Sequence, residues 1–187
     1  MKISQPFTVS KPLPVVWALF EDIPVVARCM PGAELTEDKG DGVYGGRLGI
    51  KLGPFSAHFD GEATVTRNEA DHSGHVEGRG IDRRGGSRSR LSMDYHLVEV
   101  EEGTRVTIDA ELQLSGPIAQ FGRTSIVNET AAILIGQFVK NVEAKFAAIE
   151  AGDDVDEGEG ASNSQGISAG SVAWKLMKSK LLGRSKD

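Results

Sequence analysis

Four histidines, one cysteine and a cluster of five arginines are the side chains of this 187-residue chain with the chemistry to ligate, transfer protons or hold anions. His58 and His96 share parity with polar neighbours and are expected to face solvent. His72 and His75 stand three apart in a strand-like stretch, which puts them on opposite faces, and no ligand spacing typical of zinc is present. Cys29 precedes Met30, Pro31 and Gly32 and reads as a small buried apolar residue rather than a nucleophile. Neither a nucleophile elbow nor a Walker loop occurs. Gly78, Gly80, Gly85 and Gly86 are strand and turn glycines, since no helix follows them as a dinucleotide loop requires. No acid–base pair falls on the apolar faces, which argues against an enzyme. Arg79, Arg83, Arg84, Arg88 and Arg90 straddle a hairpin. They form either a solvated edge that resists sheet pairing or, through Arg83, Arg84 and Arg88, a contact for a partner protein or anionic lipid.

A second charged feature is the C-terminal stretch 171–187, with five basic residues and one acid, Asp187. Trp174, Met177 and Leu181 fall together at helical spacing, with Leu182 nearby. Lys175, Lys178, Lys180 and Arg184 supply positive charge. Large apolar residues, one Trp and several bases on a short helix predict binding at a membrane interface; docking on the protein itself or on a partner is the competing use. About 12 helical residues reach roughly 18 Å, too short for a hydrocarbon core of about 30 Å. Before the tail, residues 151–170 are Gly, Ser and five acids with no base. That composition cannot offset ordering entropy and predicts a disordered acidic tether with a root-mean-square span of roughly 25 Å.

The elements that must position these residues lie in 1–150, read as one domain. Residues 2–10 alternate, with Ile3, Gln5, Phe7 and Val9 on one face. Ser10 is a candidate cap for a helix carrying Val15, Val16, Trp17, Leu19 and Phe20, and a second short helix follows over 22–28. From 33 to 115 the period is two, interrupted by turn signals at 38–42, 53–54, 68–71, 83–86 and 101–103. Glycines inside these strands predict a strongly curved sheet. After Gly116-Pro117, residues Ile126, Thr130, Ile133, Leu134, Phe138, Val142, Phe146 and Ile149 recur at three and four, predicting a helix over 124–150 of about 40 Å. With no helix of similar length to pack on, it is expected to lie in the concave face of the sheet. The fold class is therefore α+β: a curved antiparallel sheet of about seven strands wrapped on a long C-terminal helix, with two short helices after the first strand. A sheet curled around a helix leaves space for an apolar ligand. Candidate lining residues are Trp17, Phe20, Met30, Phe55, Phe59, Ala110, Leu112, Phe121, Phe138 and Val142, with the mouth near Met30, Phe55 and Phe121.

The net charge of −6 divides into about −5 on 1–150, −5 on the tether and +4 on the tail. An acidic body excludes general nucleic-acid binding. No run approaches the length of a transmembrane helix, no signal-peptide pattern is visible, and a single cysteine suits a reducing compartment. These features lead to the expectation of a cytoplasmic protein, peripheral on the inner face of the cell membrane.

Several short stretches, fairly specific in their order and spacing, carry a resemblance. They are Val16-Trp17 with Asp22, then Cys29 to Gly32, then Lys51-Leu52-Gly53-Pro54. Gly78 to Asp82 with Gly85-Gly86-Ser87 follow, and finally Gly116 to Gly122. Over about residues 1–150 the chain resembles the carbon monoxide dehydrogenase G-subunit family, within the helix-grip superfamily of START and Bet v 1-like proteins. The resemblance implies a helix-grip fold, an internal apolar cavity and association with a molybdenum-containing dehydrogenase. It also implies a variable membrane-tethering extension, which 151–187 matches. The expectation is a non-catalytic accessory protein with no covalent cofactor. Its cavity would hold a lipophilic molecule, an isoprenoid quinone such as menaquinone, and couple the dehydrogenase to the respiratory membrane. The alternative is a pure recruitment adaptor without ligand transport; the superfamily also includes cyclases.

Overall fold

Alternation of Ile3, Gln5, Phe7 and Val9 with exposed partners builds the first strand, β1 (Lys2–Val9), in a computed structural model that describes residues 1–52 and 55–151. Two short helices follow, α1 (Leu13–Glu21) and α2 (Ile23–Cys29). Ser10 does not cap α1, contrary to expectation. The N-cap is Pro12, whose extended backbone delays the helix to Leu13 and which makes no side-chain cap bond. Asp22 does cap α2: its Oδ1 accepts from the Val25 N–H at 3.1 Å.

Six further strands form a meander: β2 (Ala33–Gly40), β3 (Val43–Leu52), β4 (Phe55–Asn68), β5 (Ser73–Asp82), β6 (Ser87–Val100) and β7 (Gly103–Ser115). The seven-stranded antiparallel sheet has the order β1-β7-β6-β5-β4-β3-β2, so β1 returns to lie beside β7. A 3-10 turn over Pro117–Phe121 leads into the long helix α3 (Thr124–Ala151). The helix-grip arrangement expected from the strand count and the terminal helix is present.

The core has two parts. The larger packs α1 and α3 against the β6, β7 and β1 side, with Val16, Leu19, Leu97, Val106 and Val142 almost fully buried. Phe138 stands edge-on to Phe7 and Phe20, with ring centroids 6.0 Å and 6.3 Å apart. Burying each such aromatic side chain contributes roughly 1.5–3 kcal/mol. The smaller part gathers Ala57, Phe59 and Ile118 with Ile50, Leu114 and Ile126. Asn141 Nδ2 donates to the Cys29 carbonyl at 2.8 Å and ties α3 to the end of α2. Ile133, expected on the buried line of α3, is 67% exposed. The buried face runs through Val127, Phe138, Val142 and Phe146, and Ile133 lies five residues, about 140° around the helix, before Phe138.

Candidate functional site: a glycine floor between an apolar cavity and an arginine face

Three glycines from three strands stand side by side on the inner face of the sheet. Gly46 of β3 is paired with Gly61 of β4, and Gly61 with Gly80 of β5. Ser89 of β6 continues the row. One row along, Ala63 is paired with Gly78, and Gly78 with Leu91. A Cβ on Gly61 would overlap the Arg79 carbonyl oxygen, and one on Gly46 would lie 2.9 Å from the Glu34 carbonyl oxygen. The backbones therefore approach as only glycine allows, and the sheet bends there.

This bend leaves an apolar cavity of about 260 Å³ on the inner face. Its floor is Gly46, Gly61, Gly78 and Gly80; its walls include Leu35, Tyr44, Leu48, Phe59, Val76 and Leu91, and Ile23 and Ala27 of α2. Tyr44 and Ser89 bring hydroxyls, and Glu34, Arg47, Glu62 and Arg79 border the cavity as well; the rest of the lining is aliphatic, aromatic or glycine. Such a site suits an apolar ring with one or two hydrogen-bonding atoms. Among the described residues, no group of three or more His, Cys, Asp or Glu side chains is placed to hold a metal ion.

The opposite face of the same floor is charged. Arg47, Asp60, Glu62, Arg79, Ile81, Arg88 and Arg90 alternate with the floor residues and point outward, lining a groove of about 810 Å³ together with Gly45 and Arg83. Arg47 is paired with Asp60 at 3.1 Å and with Glu34 at 3.5 Å. Arg79 is held by Glu62, which Lys39 also contacts at 3.2 Å. Hydrogen bonds from Arg79 first, and then Lys39, hold the Glu62 carboxyl below its ordinary range. Among the described residues Arg83, Arg88 and Arg90 have no carboxylate partner. These arginines sit on β5, β6 and their hairpin, in the middle of the sheet rather than at its edge. The solvated-edge reading therefore fails, since both strands are already paired on both sides.

The hairpin that carries Arg83 and Arg84 is built firmly. Asp82 is buried, and its Oδ1 accepts from the Gly85 N–H at 2.9 Å and the Arg84 N–H at 3.0 Å. The bond from Gly85, foremost, pulls the Asp82 carboxyl below its usual value despite burial. Ser87, fully buried, accepts at its Oγ from the Ile118 N–H at 3.1 Å and joins the hairpin to the 3-10 turn.

Trp17, Phe20, Phe138 and Val142, all expected to line a cavity, share the larger core with Met30 packed against it. Phe59 lies in the smaller core and lines the cavity as well. Ala110 and Leu112 are half-buried on the inner face of β7. The side chains of Phe55 and Phe121 lie outside the described residues, as do the tether and the whole tail with Trp174, Lys175, Met177, Lys178, Lys180, Leu181, Leu182 and Arg184. Sequence reasoning missed Tyr44, Leu48, Leu91, Ile23 and Ala27 as lining residues. The parity of Tyr44 and Leu48 on β3 was readable, but not that α2 would close over them. The histidines separate: His72 is in the turn before β5, edge-on to Trp17 at 5.3 Å. His75 is on the outer face, with Nδ1 2.7 Å from Asp94 and Nε2 2.8 Å from Glu77. Both His58 and His96 are exposed. The buried Trp17 Nε1 and Tyr95 hydroxyl have no hydrogen-bond partner among the described residues.

Among known proteins, the carbon monoxide dehydrogenase G-subunit family (CoxG) matches residues 6–147. No functionally curated protein matches the chain. Among solved structures, a conserved protein from Geobacillus kaustophilus superposes with a TM-score of 0.69 at 18% identity, covering 79% of this chain and 95% of its own. A Thermus thermophilus protein gives 0.58 at 14% identity, covering 78% and 99%. A START superfamily protein from Mycobacterium smegmatis gives 0.52 at 14% identity, covering 79% and 98%. At these identities the likeness establishes the fold.

Proposed function

The chain belongs to the carbon monoxide dehydrogenase G-subunit family, and we propose that it is a non-catalytic accessory protein that carries a lipophilic quinone, such as menaquinone, between a molybdenum-type dehydrogenase and the inner face of the cell membrane. The observation that carries this reading is the apolar cavity on the glycine floor. Its volume of about 260 Å³ is near the lower limit of small-molecule sites. That is room for a quinone ring, with the prenyl chain leaving through the open side. Tyr44 and Ser89 offer donors to ring carbonyls, and the remaining wall is suited to an apolar body. Among the described residues no helix is long and apolar enough to cross a membrane. Contact with lipid is assigned to the basic, Trp-containing tail, each Lys or Arg adding on the order of 1 kcal/mol at an anionic surface.

The test is organic extraction and mass spectrometry of the natively purified full chain, followed by titration with a short-chain naphthoquinone. Saturable binding that Gly78→Leu abolishes, with the circular dichroism spectrum retained, supports the carrier. No copurifying lipid and no saturable binding overturns it and favours a recruitment adaptor. In parallel, anionic vesicles should sediment the full chain and not a variant lacking residues 171–187; equal sedimentation removes the membrane role of the tail.

A further inference from the structure

We infer that the outer face of β5 and β6, centred on Ile81 and ringed by Arg83, Arg88 and Arg90, is the docking surface for an acidic face of the dehydrogenase, set directly behind the ligand cavity. The inference rests on the functional reading above and adds to it where the partner sits.

Four observations carry it. First, Arg79 and Arg90 are direct cross-strand neighbours. Like charges opposite each other weaken a sheet, and Glu62 relieves only Arg79. A body of net negative charge has thus concentrated uncompensated cations on one small area, an arrangement that steers an acidic partner. Second, Ile81 is 49% exposed in the middle of these arginines. An aliphatic centre with surrounding arginine is the composition of a protein interface rather than of a solvated sheet face. Third, the groove also presents Glu37, Asp60 and Glu62. Each is already paired within the chain, with Lys39, Arg47 and Arg79 in turn, which leaves Arg83, Arg88 and Arg90 as the cations open to the carboxylates of an acidic partner. Fourth, the hairpin is preorganised by Asp82 and Ser87, so little ordering cost attends docking.

The position has a consequence for transfer. The groove and the cavity are both lined by Gly46, Gly61 and Gly80, one from each side. At this row no side chain separates the two, so a docked partner lies one backbone layer from a ligand ring. Elsewhere on the sheet, inward side chains such as Phe59 and Leu91 intervene.

The test uses the full chain and a purified molybdenum-type dehydrogenase holoenzyme from the same organism, with affinity measured by biolayer interferometry at low and moderate salt. Three proteins are compared: wild type, the triple reversal R83E/R88E/R90E, and the milder Ile81→Asp, which leaves the charges in place. Each is also titrated with the naphthoquinone and with anionic vesicles. The expected result is tenfold or greater weakening of dehydrogenase binding by the triple reversal, a loss of its salt dependence, and a smaller loss for Ile81→Asp, with quinone binding unchanged. Absence of dehydrogenase binding by wild type, or equal binding by all three, overturns the inference. So does a loss of vesicle binding alone, which would make the patch a lipid contact. Should the reversal fail to fold, Ile81→Asp decides. Loss of docking in a protein that never binds quinone would leave the surface standing and remove the carrier reading instead.

Discussion

Gly61 and Gly80 face each other across β4 and β5; a side chain at Gly61 would collide with the sheet backbone, and one at Gly80 would crowd the side chains beside it. At Gly61 the obstacle is the backbone of the neighbouring strand; at Gly80 a Cβ would stand 3.0 Å from Phe59 Cβ and 3.1 Å from Ser89 Oγ. This pair makes the floor thin and the cavity possible.

Substitutions along that floor should separate folding from binding. Gly61→Ala forces strand backbones apart and is expected to cost about 2 kcal/mol or more, read as a lowered urea midpoint. Gly78→Ala places its Cβ 3.5 Å from Leu91 Cβ, an ordinary contact. It should change stability by about 1 kcal/mol or less while narrowing the cavity and weakening quinone binding. A wild-type midpoint for Gly61→Ala would mean that the close approach of β4 and β5 is not maintained in solution.

Asp82 should govern part of the acid limb of stability. Its folded carboxyl is depressed, first by the Gly85 N–H. The stabilisation it brings is therefore full above its unfolded value, about 3.9. It fades as pH falls toward the lower folded value, below which it is gone. Asp82→Asn is expected to be less stable than wild type at pH 7 and to converge with it in strong acid. Parallel denaturation curves across that range would show that the carboxylate does not matter to the hairpin.

His75 should titrate above about 6.5. Its hydrogen bond with Asp94, and next that with Glu77, favour the protonated ring. The small stabilisation it brings is complete below the unfolded value and disappears as pH rises through the folded one. In an NMR titration of the ring protons, Asp94→Asn should move the midpoint down. An unchanged midpoint would assign the shift to Glu77 alone.

Cys29 should be inert in the folded protein. It is 3% exposed, and burial raises its thiol pKa, which suppresses the reactive thiolate. Labelling by Ellman's reagent is expected to follow global unfolding. Asn141→Ala removes the bond to the Cys29 carbonyl, should cost about 1 kcal/mol, and should speed labelling several-fold. Rapid labelling of the native wild type would place the thiol at the surface.

What the amino-acid order determined by itself was local. Period-two alternation named the strands and their inner faces, Gly and Asp clusters named the turns, and spacings of three and four named α3. The resemblance carried by short Gly- and Pro-containing stretches named the family. Tertiary structure alone decided the rest. The alignment of Gly46, Gly61 and Gly80 depends on the register adopted by three consecutive strands, β3, β4 and β5, and their individual spacing does not encode it. The arginines are flanked on both sides by the β4-β5-β6-β7 meander, whereas the closure of the sheet by β1 beside β7 is a long-range pairing that no hairpin signal reports. That Ile23 and Ala27 of α2 cover the cavity, while Trp17 and Phe138 fill a core beside it, depends on how the helices settle on a curved surface. Each of these is a non-local contact, and local pattern sets which way a side chain points but not what it meets.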